Sequence, residues 1–335
     1  MRVPVFVVGA PRSGTTLLRV ILDRHPKLAM WGGESDFFRR LYDRRAAFGD
    51  PGVAANRERI IDAFVSLEPV RRLKLDWSAL KQRLMHDGET WPALFAALLQ
   101  FHADAQGKPY AGEKTPVHAF RTKELLEWFP NCAIVHIVRD PRDAVSSVIR
   151  MPWSTRSVQA GARSWTRFNT AALEAAERAN YLLAKYEDLV ADPKESLTRI
   201  CRHIGLAYDP ALLQANERNT GESAVVARAS KPISADRRGL WRKAFQPWQV
   251  AAIEDAAGPL MEQFGYAREA PPISAPDRAR ATAEEIFETA VQKATRLPAG
   301  FYRHLQPTNL AAESRWLERA SALYWSVRRK PVDVE

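Results

Sequence analysis

The sequence predicts an α/β protein: a P-loop-like three-layer fold with a central parallel sheet flanked by helices, followed by a helical C-terminal extension. Two short β-branched runs, Val3 to Val8 and Ala133 to Val138, each pass through a polar loop into a segment of helical spacing. Repeated strand, loop and helix units imply parallel strands, because a crossover helix returns the chain to the same end of the sheet. With 335 residues, 46% hydrophobic and 26% charged, the composition excludes a disordered or fibrous chain.

Taken in order, the first run ends at Gly9, and Leu17, Leu18, Ile21 and Leu22 then recur at helical spacing over Thr15 to Asp23. Trp91 to Ala105 reads as a helix, Tyr110 to Lys114 as a short strand and Val117 to Trp128 as the helix that follows it. Ala133 to Val138 is again a strand and leads through Arg139-Asp-Pro-Arg142 into a helix from Asp143. Tyr181 to Tyr186 reads as a further strand, and Pro193 to His203 as a helix with proline in its first turn, where the missing N–H is not needed. Ala270 to Asp277 carries three prolines, which cannot continue a helix or a central strand. The expected organisation is a catalytic domain over 1–269, a Pro-rich linker at 270–277 and a helical extension over 278–335. In the extension Trp316, Leu317, Ala320, Leu323, Tyr324 and Val327 share one helical face beside Arg315, Arg319, Arg328 and Arg329. Such a face suits packing on the core or on a second subunit; membrane-surface contact and a homodimer stay open as partners.

Lys and Arg number 49 against 39 Asp and Glu, a net charge of +10, so an anionic ligand or surface is attracted. Nucleic acid is not the expected partner, because the basic residues are scattered and no recognition module accompanies them. Two cysteines, Cys132 and Cys201, and seven histidines form no ligand spacing, so no metal is expected and a reducing compartment is the simpler reading. The N-terminal apolar run is too short for a signal-peptide core, and no stretch approaches the roughly 20 apolar residues of a membrane span. A cytoplasmic location is expected.

Two loops carry the chemistry. Gly9-Ala-Pro-Arg-Ser-Gly-Thr-Thr16 lies between strand and helix, where backbone N–H groups and the helix dipole point at an anion. It lacks the Gly-Lys-Ser/Thr ending of a Walker loop, and it places Arg12 inside the turn. Helix capping accounts for Ser13, Gly14, Thr15 and Thr16 but not for Arg12. After the second strand, Arg139 offers a planar guanidinium and Ser147, two turns into the helix, a hydroxyl; this suits an isolated phosphomonoester. Asp140, Arg142 and Asp143 read as structural.

The pair Pro11-Arg-Ser-Gly-Thr-Thr-Leu-Leu18 and Arg139-Asp-Pro-Arg-Asp-Ala-Val-Ser-Ser147 resembles the two nucleotide-binding loops of the PAPS-dependent sulfotransferases. The resemblance runs from about Val3 to Tyr266. It implies 3′-phosphoadenylyl sulfate (PAPS) as donor and PAP as product, with the first loop on the 5′-phosphosulfate and Arg139 and Ser147 on the 3′-phosphate. Tyr186-Glu-Asp-Leu-Val190 is similar to the family motif whose tyrosine lies near the adenine; a buried tyrosine with a helix cap at Asp192 is the alternative. Lys231-Pro-Ile-Ser-Ala-Asp-Arg-Arg-Gly-Leu-Trp241 resembles the segment that closes over the nucleotide, with Lys231, Arg238 and Gly239 as contacts and the choice among Lys231, Arg237 and Arg238 open.

In-line sulfuryl transfer needs a base on the acceptor side and neutralisation of charge on the donor side; Arg and Lys can supply the latter without Mg2+. Glu34, in Trp31-Gly-Gly-Glu-Ser-Asp-Phe-Phe38, is the expected base, its basicity raised by partial desolvation among glycines and an apolar run. The segment resembles the catalytic glutamate region of tyrosylprotein sulfotransferases and the Glu-x-x-Phe-Phe pattern of glycosaminoglycan sulfotransferases. Asp36 reads as a helix N-terminal acid. Lys114, in Gly112-Glu-Lys-Thr-Pro116 at a strand end, has a family counterpart near the transferred sulfate and is expected to act with Arg12 as electrophile. His118 ranks second as base and reads more simply as a surface histidine on a helix. A nucleotide kinase or NTPase is the alternative function, weakened by the missing Walker lysine, and an anion-binding module the weaker one. The acceptor, whether peptide, carbohydrate, lipid or small molecule, is not legible. Phe37 to Trp91 and Trp153 to Trp165 are expected to select it, and Arg39, Arg40, Arg44 and Arg45 suit either an acidic acceptor or a solvated helical face.

Overall fold

The computed structural model describes residues 4–71, 73, 75–151, 154–214 and 231–305. The amphipathic stretch from Arg315 to Arg329 expected in the extension lies outside the described residues. The chain divides into two compact units. One comprises the described residues up to Arg139 together with Phe168–Ala235; the other comprises those of Asp140–Arg167 and from Asp236 onward.

The first unit is built on a five-stranded parallel sheet in the order β2-β3-β1-β4-β5. The strands are β1 (Val5–Val8), β2 (Leu28–Met30), β3 (Tyr110–Lys114), β4 (Ala133–Val138) and β5 (Tyr181–Lys185). Every pairing is parallel, with Val7 beside both Lys114 and Val135. Strands buried on both faces read as continuous apolar runs, which is why Val-Phe-Val-Val and Ala-Ile-Val-His-Ile-Val are strands here. Alternation divides the two faces. Val5 and Val7 pack with Leu18, Ile21 and Leu22 of the helix Thr15–Asp23 and with Leu197, Ile200 and Cys201 of Pro193–His203. Phe6, between them, turns to Phe95 of the helix Trp91–Asp104, with ring centroids 6.0 Å apart, and to Phe129 at 5.9 Å. Helices therefore cover both faces of the sheet.

His136 is the polar member of β4. Its Nδ1 lies 2.6 Å from the Tyr181 hydroxyl and its Nε2 2.8 Å from Asn169 Oδ1, and burial pushes its pKa down to about 4, so it sits neutral in the core. Strand β2, only three residues long, was not expected. The single helix expected over Val117 to Trp128 is two elements, a 3-10 turn over Pro116–Arg121 and an α-helix over Thr122–Trp128. The His118 N–H bonds the Thr115 carbonyl at 2.9 Å, three residues back, and so starts the segment at the tighter pitch.

In the second unit, the helix Pro141–Val148 contributes Val145 to a small core with Val158, Ala162, Ala252, Ile253 and Ala281. Asp140 accepts the Arg142 N–H at its N-terminus (2.9 Å), and Arg142 reaches the buried Glu254 at 2.7 Å. Asp143 accepts the N–H groups of Gly239 (2.7 Å) and Trp241 (3.1 Å), tying that loop to the helix. The proline-bearing stretch at 270–277 lies inside this unit, and from Ala275 onward it already belongs to the long helix Ala275–Leu305.

The turn after β1 depends on Gly9, whose φ is +147°; a Cβ there would lie 2.3 Å from the Ile137 carbonyl oxygen of β4. That atom is backbone in a central strand and has no room to yield. Gly9→Ala is expected to destabilise the chain by about 2 kcal/mol or more, measurable by urea unfolding.

Candidate active site

Because all five strands run in one direction, their carboxyl ends lie along one edge, and each strand ends on or leads to a residue singled out in the sequence. Ligands collect at this edge in open α/β sheets, and β1, flanked by β3 and β4, marks the switch point. Strand β1 delivers the loop Gly9 to Thr16, β2 leads to Glu34, β3 ends on Lys114, and β4 and β5 are followed by Arg139 and Tyr186.

The loop after β1 is shaped as an anion cradle. Arg12 and Gly14 both have positive φ, 69° and 97°, and Gly14 is the N-cap of the helix that starts at Thr15. The Ser13 N–H closes a turn onto the Ala10 carbonyl at 3.2 Å. Ser13 is fully buried and its hydroxyl has no hydrogen-bond partner among the described residues. A buried polar atom left in this way is what an anion-holding loop retains for its ligand. A Cβ at Gly14 would meet Tyr186 Cδ2 at 2.6 Å, so the ring presses directly on the loop. On the same ring lies the Arg139 guanidinium, 4.4 Å from the centroid, with Nη1 3.4 Å from the Arg12 carbonyl oxygen. Tyr186, 5% exposed, is thus a wedge between the loop and Arg139, and Arg139 itself is buried. Asp192 caps the helix Pro193–His203 by accepting the Glu195 N–H at 3.0 Å. Lys231 belongs to the same unit and is exposed; Ser147, Arg237, Arg238 and Gly239 belong to the other unit.

Glu34 and Lys114 are brought together: Nζ donates to Oε1 at 2.8 Å. The apolar enclosure expected around Glu34 is not there, for its side chain is 45% exposed and the group at its carboxylate is a buried ammonium. The adjoining Phe37 and Phe38 take the apolar role instead. Phe37 stacks on Phe95 at 4.6 Å and Phe38 on Trp128 at 4.9 Å, anchoring the segment in the core. Asp36 occupies the N-cap position of the short helix Phe37–Arg40 but makes no capping bond; with φ at 52° its carboxylate pairs with Arg39 and Arg40. Arg45 lies over the Tyr42 ring at 4.5 Å.

Sequence reasoning missed Glu113, which is fully buried. Its Oε1 accepts the Ser35 N–H at 3.1 Å, the Ser35 hydroxyl at 2.9 Å and the Thr115 hydroxyl. Its Oε2 lies 2.7 Å from His118 Nδ1, a contact by charge and distance, since neither atom has an aligned hydrogen-bond partner. His118 is therefore no surface residue: it is 1% exposed, with Phe38 at 5.2 Å and Phe6 at 6.3 Å. Burial pushes the Glu113 carboxyl up, but the His118 charge and the donated hydrogen bonds outweigh it and hold the group below its ordinary value. A carboxylate at position i−1 of a lysine gave no signal, because Ser35 is 78 residues away and the burial of Glu113 and His118 comes only with the fold.

The parallel sheet thus brings a turn shaped as an anion cradle and a carboxylate beside a lysine to one edge. A model of the sulfotransferase family matches residues 4–210. The chain belongs to the sulfotransferase family, and its enzyme class is that of a transferase of sulfuryl groups. It is similar to protein-tyrosine sulfotransferase A of Caenorhabditis elegans, 26% identical over 284 residues, 78% of this chain and 67% of that one. Similarity to the protein-tyrosine sulfotransferase of Drosophila melanogaster is 25% over 314 residues, 88% of this chain and 57% of that protein's length. Among solved structures it resembles the sulfotransferase domain of the Synechococcus PCC 7002 olefin synthase, with TM-score 0.57 and 25% identity over 80% of this chain and 97% of that one.

Because the Glu113 carboxyl lies below its ordinary value of 4.5, its ionised form stabilises the fold fully above that pH, and the contribution is lost as pH falls below it. Glu113→Gln is expected to cost about 3 kcal/mol at pH 7, with the gap from the parent closing under acid conditions. Urea unfolding of both proteins across the acid range measures this.

Proposed function

We propose that the protein transfers the sulfuryl group of PAPS in line to a hydroxyl acceptor, with Glu34 as general base and Arg12 and Lys114 as electrophilic residues. The observation that carries this reading is the 2.8 Å contact of Glu34 with Lys114 at the same sheet edge as the phosphate-holding loop. PAPS supplies the sulfuryl group and leaves as PAP.

The first loop fits the 5′-phosphosulfate. The backbone N–H groups at the start of the helix Thr15–Asp23, the buried Ser13 hydroxyl, and Thr15 and Thr16 in its first turn are the donors in position to hold it. Arg139, wedged against Tyr186, is held ready for the 3′-phosphate, and a guanidinium suits such a group because it offers two parallel donors. Tyr186 acts through packing on Gly14 and Arg139, and contact with the adenine is left to its edge. Lys231, Ser147, Arg238 and Gly239 are assigned to the nucleotide on resemblance alone.

For the reaction, the acceptor hydroxyl gives its proton to Glu34 Oε as its oxygen bonds to sulfur. Lys114 then shifts its charge from the carboxylate toward the oxygens where negative charge grows. The Glu34 side chain is exposed enough to meet an acceptor, and Lys114 is buried enough for its charge to act at low dielectric. A phenolic hydroxyl is the acceptor first to be tried, since the relatives above are named for protein tyrosine.

Calorimetric titration with PAP, against ADP and against ATP with Mg2+, tests the donor site without an acceptor. PAP is expected to bind tightest, and Arg139→Ala to weaken it at least about tenfold, the worth of one charge-assisted bond. Glu34→Gln is expected to bind PAP as the parent does and to lose about a hundredfold or more in transfer of labelled sulfuryl to a tyrosine peptide. A preference for ATP, or full turnover by Glu34→Gln, overturns the reading.

A further inference from the structure

The segment that carries Glu34 is held at two points with a slack stretch between them. At one end, the Trp31 N–H continues the β2-β3 ladder by bonding the Gly112 carbonyl at 2.7 Å. At the other, Ser35 gives both its N–H and its hydroxyl to Glu113. Gly32 and Gly33 lie between, and Gly33 has φ at 100° with open space where a Cβ would be. Glycines lose the most freedom on ordering, so this stretch does not hold a side chain in place by itself. Immediately after the second point, Asp36 is held at φ 52°, a conformation that a non-glycine residue keeps only when its surroundings impose it.

We propose that Glu113 is the positioning residue of the base. Through Ser35 it fixes the backbone from which Glu34 reaches Lys114, and His118 fixes Glu113. The proposal rests on the reading of Glu34 as base. Its geometry is specific: Glu113 and Lys114 are successive residues of β3, and Ser35 and Glu34 are successive residues of the loop. Each strand residue takes one loop residue, Glu113 taking Ser35 and Lys114 taking Glu34. Moving the Ser35 anchor therefore moves Glu34 against Lys114.

The test is a double-mutant cycle on the full chain, read as transfer of labelled sulfuryl from PAPS to a tyrosine peptide, with PAP calorimetry and circular dichroism beside it. Glu113→Gln, folded and binding PAP within about twofold of the parent, is expected to lose about tenfold or more in kcat with KM for PAPS unchanged. On the Glu34→Gln background the same substitution is expected to cost less than about twofold, because residues that act as a unit are not additive. Equal losses on both backgrounds overturn the positioning role and leave Glu34 as base. Full turnover by Glu34→Gln alone overturns the reading of the base on which the proposal rests. Should Glu113→Gln fail to fold, Ser35→Ala takes its place in the cycle. It keeps the N–H bond and removes the hydroxyl, and an unchanged kcat in that variant overturns the proposal.

Discussion

Everything at the candidate site depends on one constraint, the parallel pairing of β1 with β3 on one side and β4 on the other. Parallel strands put their carboxyl ends along one edge, so residues distant in sequence meet without any loop having to reach far. Val7 stands beside Lys114 and Val135; two residues on, β1 and β3 have left the sheet at Gly9 and Pro116, while β4 runs on through Val138 to Arg139. The tightness of the turn after β1 follows from the same closeness, since only a glycine at position 9 leaves room for the β4 carbonyl.

How far the sequence could be read divides along physical lines. Local patterns were legible: a β-branched run, a glycine with positive φ and a helix of spaced leucines are contiguous, and Thr15–Asp23 and Pro193–His203 have the bounds their spacing implies. Three residues of Leu28–Met30 carry no period, and they are a strand only because β3 lies beside them. Phe37 and Phe38 read as an apolar setting for Glu34, whereas their rings turn away into the core against Phe95 and Trp128. His118 shows the same limit: in sequence it is a polar residue after a proline, and its burial comes from Glu113 and the surrounding rings.

The basic charge divides in a similar way. The cations near Glu34, which suit either an acidic acceptor or a solvated helical face, have carboxylate partners in part: Arg39 and Arg40 pair with Asp36, and Arg121 pairs with Asp43 and Glu124. Asp36, Asp43 and Glu124 offset part of the charge of Arg39, Arg40, Arg44, Arg45 and Arg121 and leave the segment basic. Arg45 lies over the Tyr42 ring, and Arg139 and Lys114 are buried at the strand ends.

Two carboxylates face the end of β3, and their surroundings separate their work. Glu113 is enclosed, accepts three donors and lies against a buried imidazole, so its removal from that position would leave several polar groups without partners. Glu34 accepts from Lys114 at 2.8 Å, and its side chain is 45% exposed. With its carboxylate open to solvent and its ammonium buried, the pair can part without stranding a buried carboxylate, so Lys114 can exchange Glu34 for another anion. A base must be exact in place and loose in partner. In the proposed reaction the two demands fall on neighbouring residues: Ser35, held by Glu113, would supply the placement, and Glu34, held at its tip by Lys114, would take the proton.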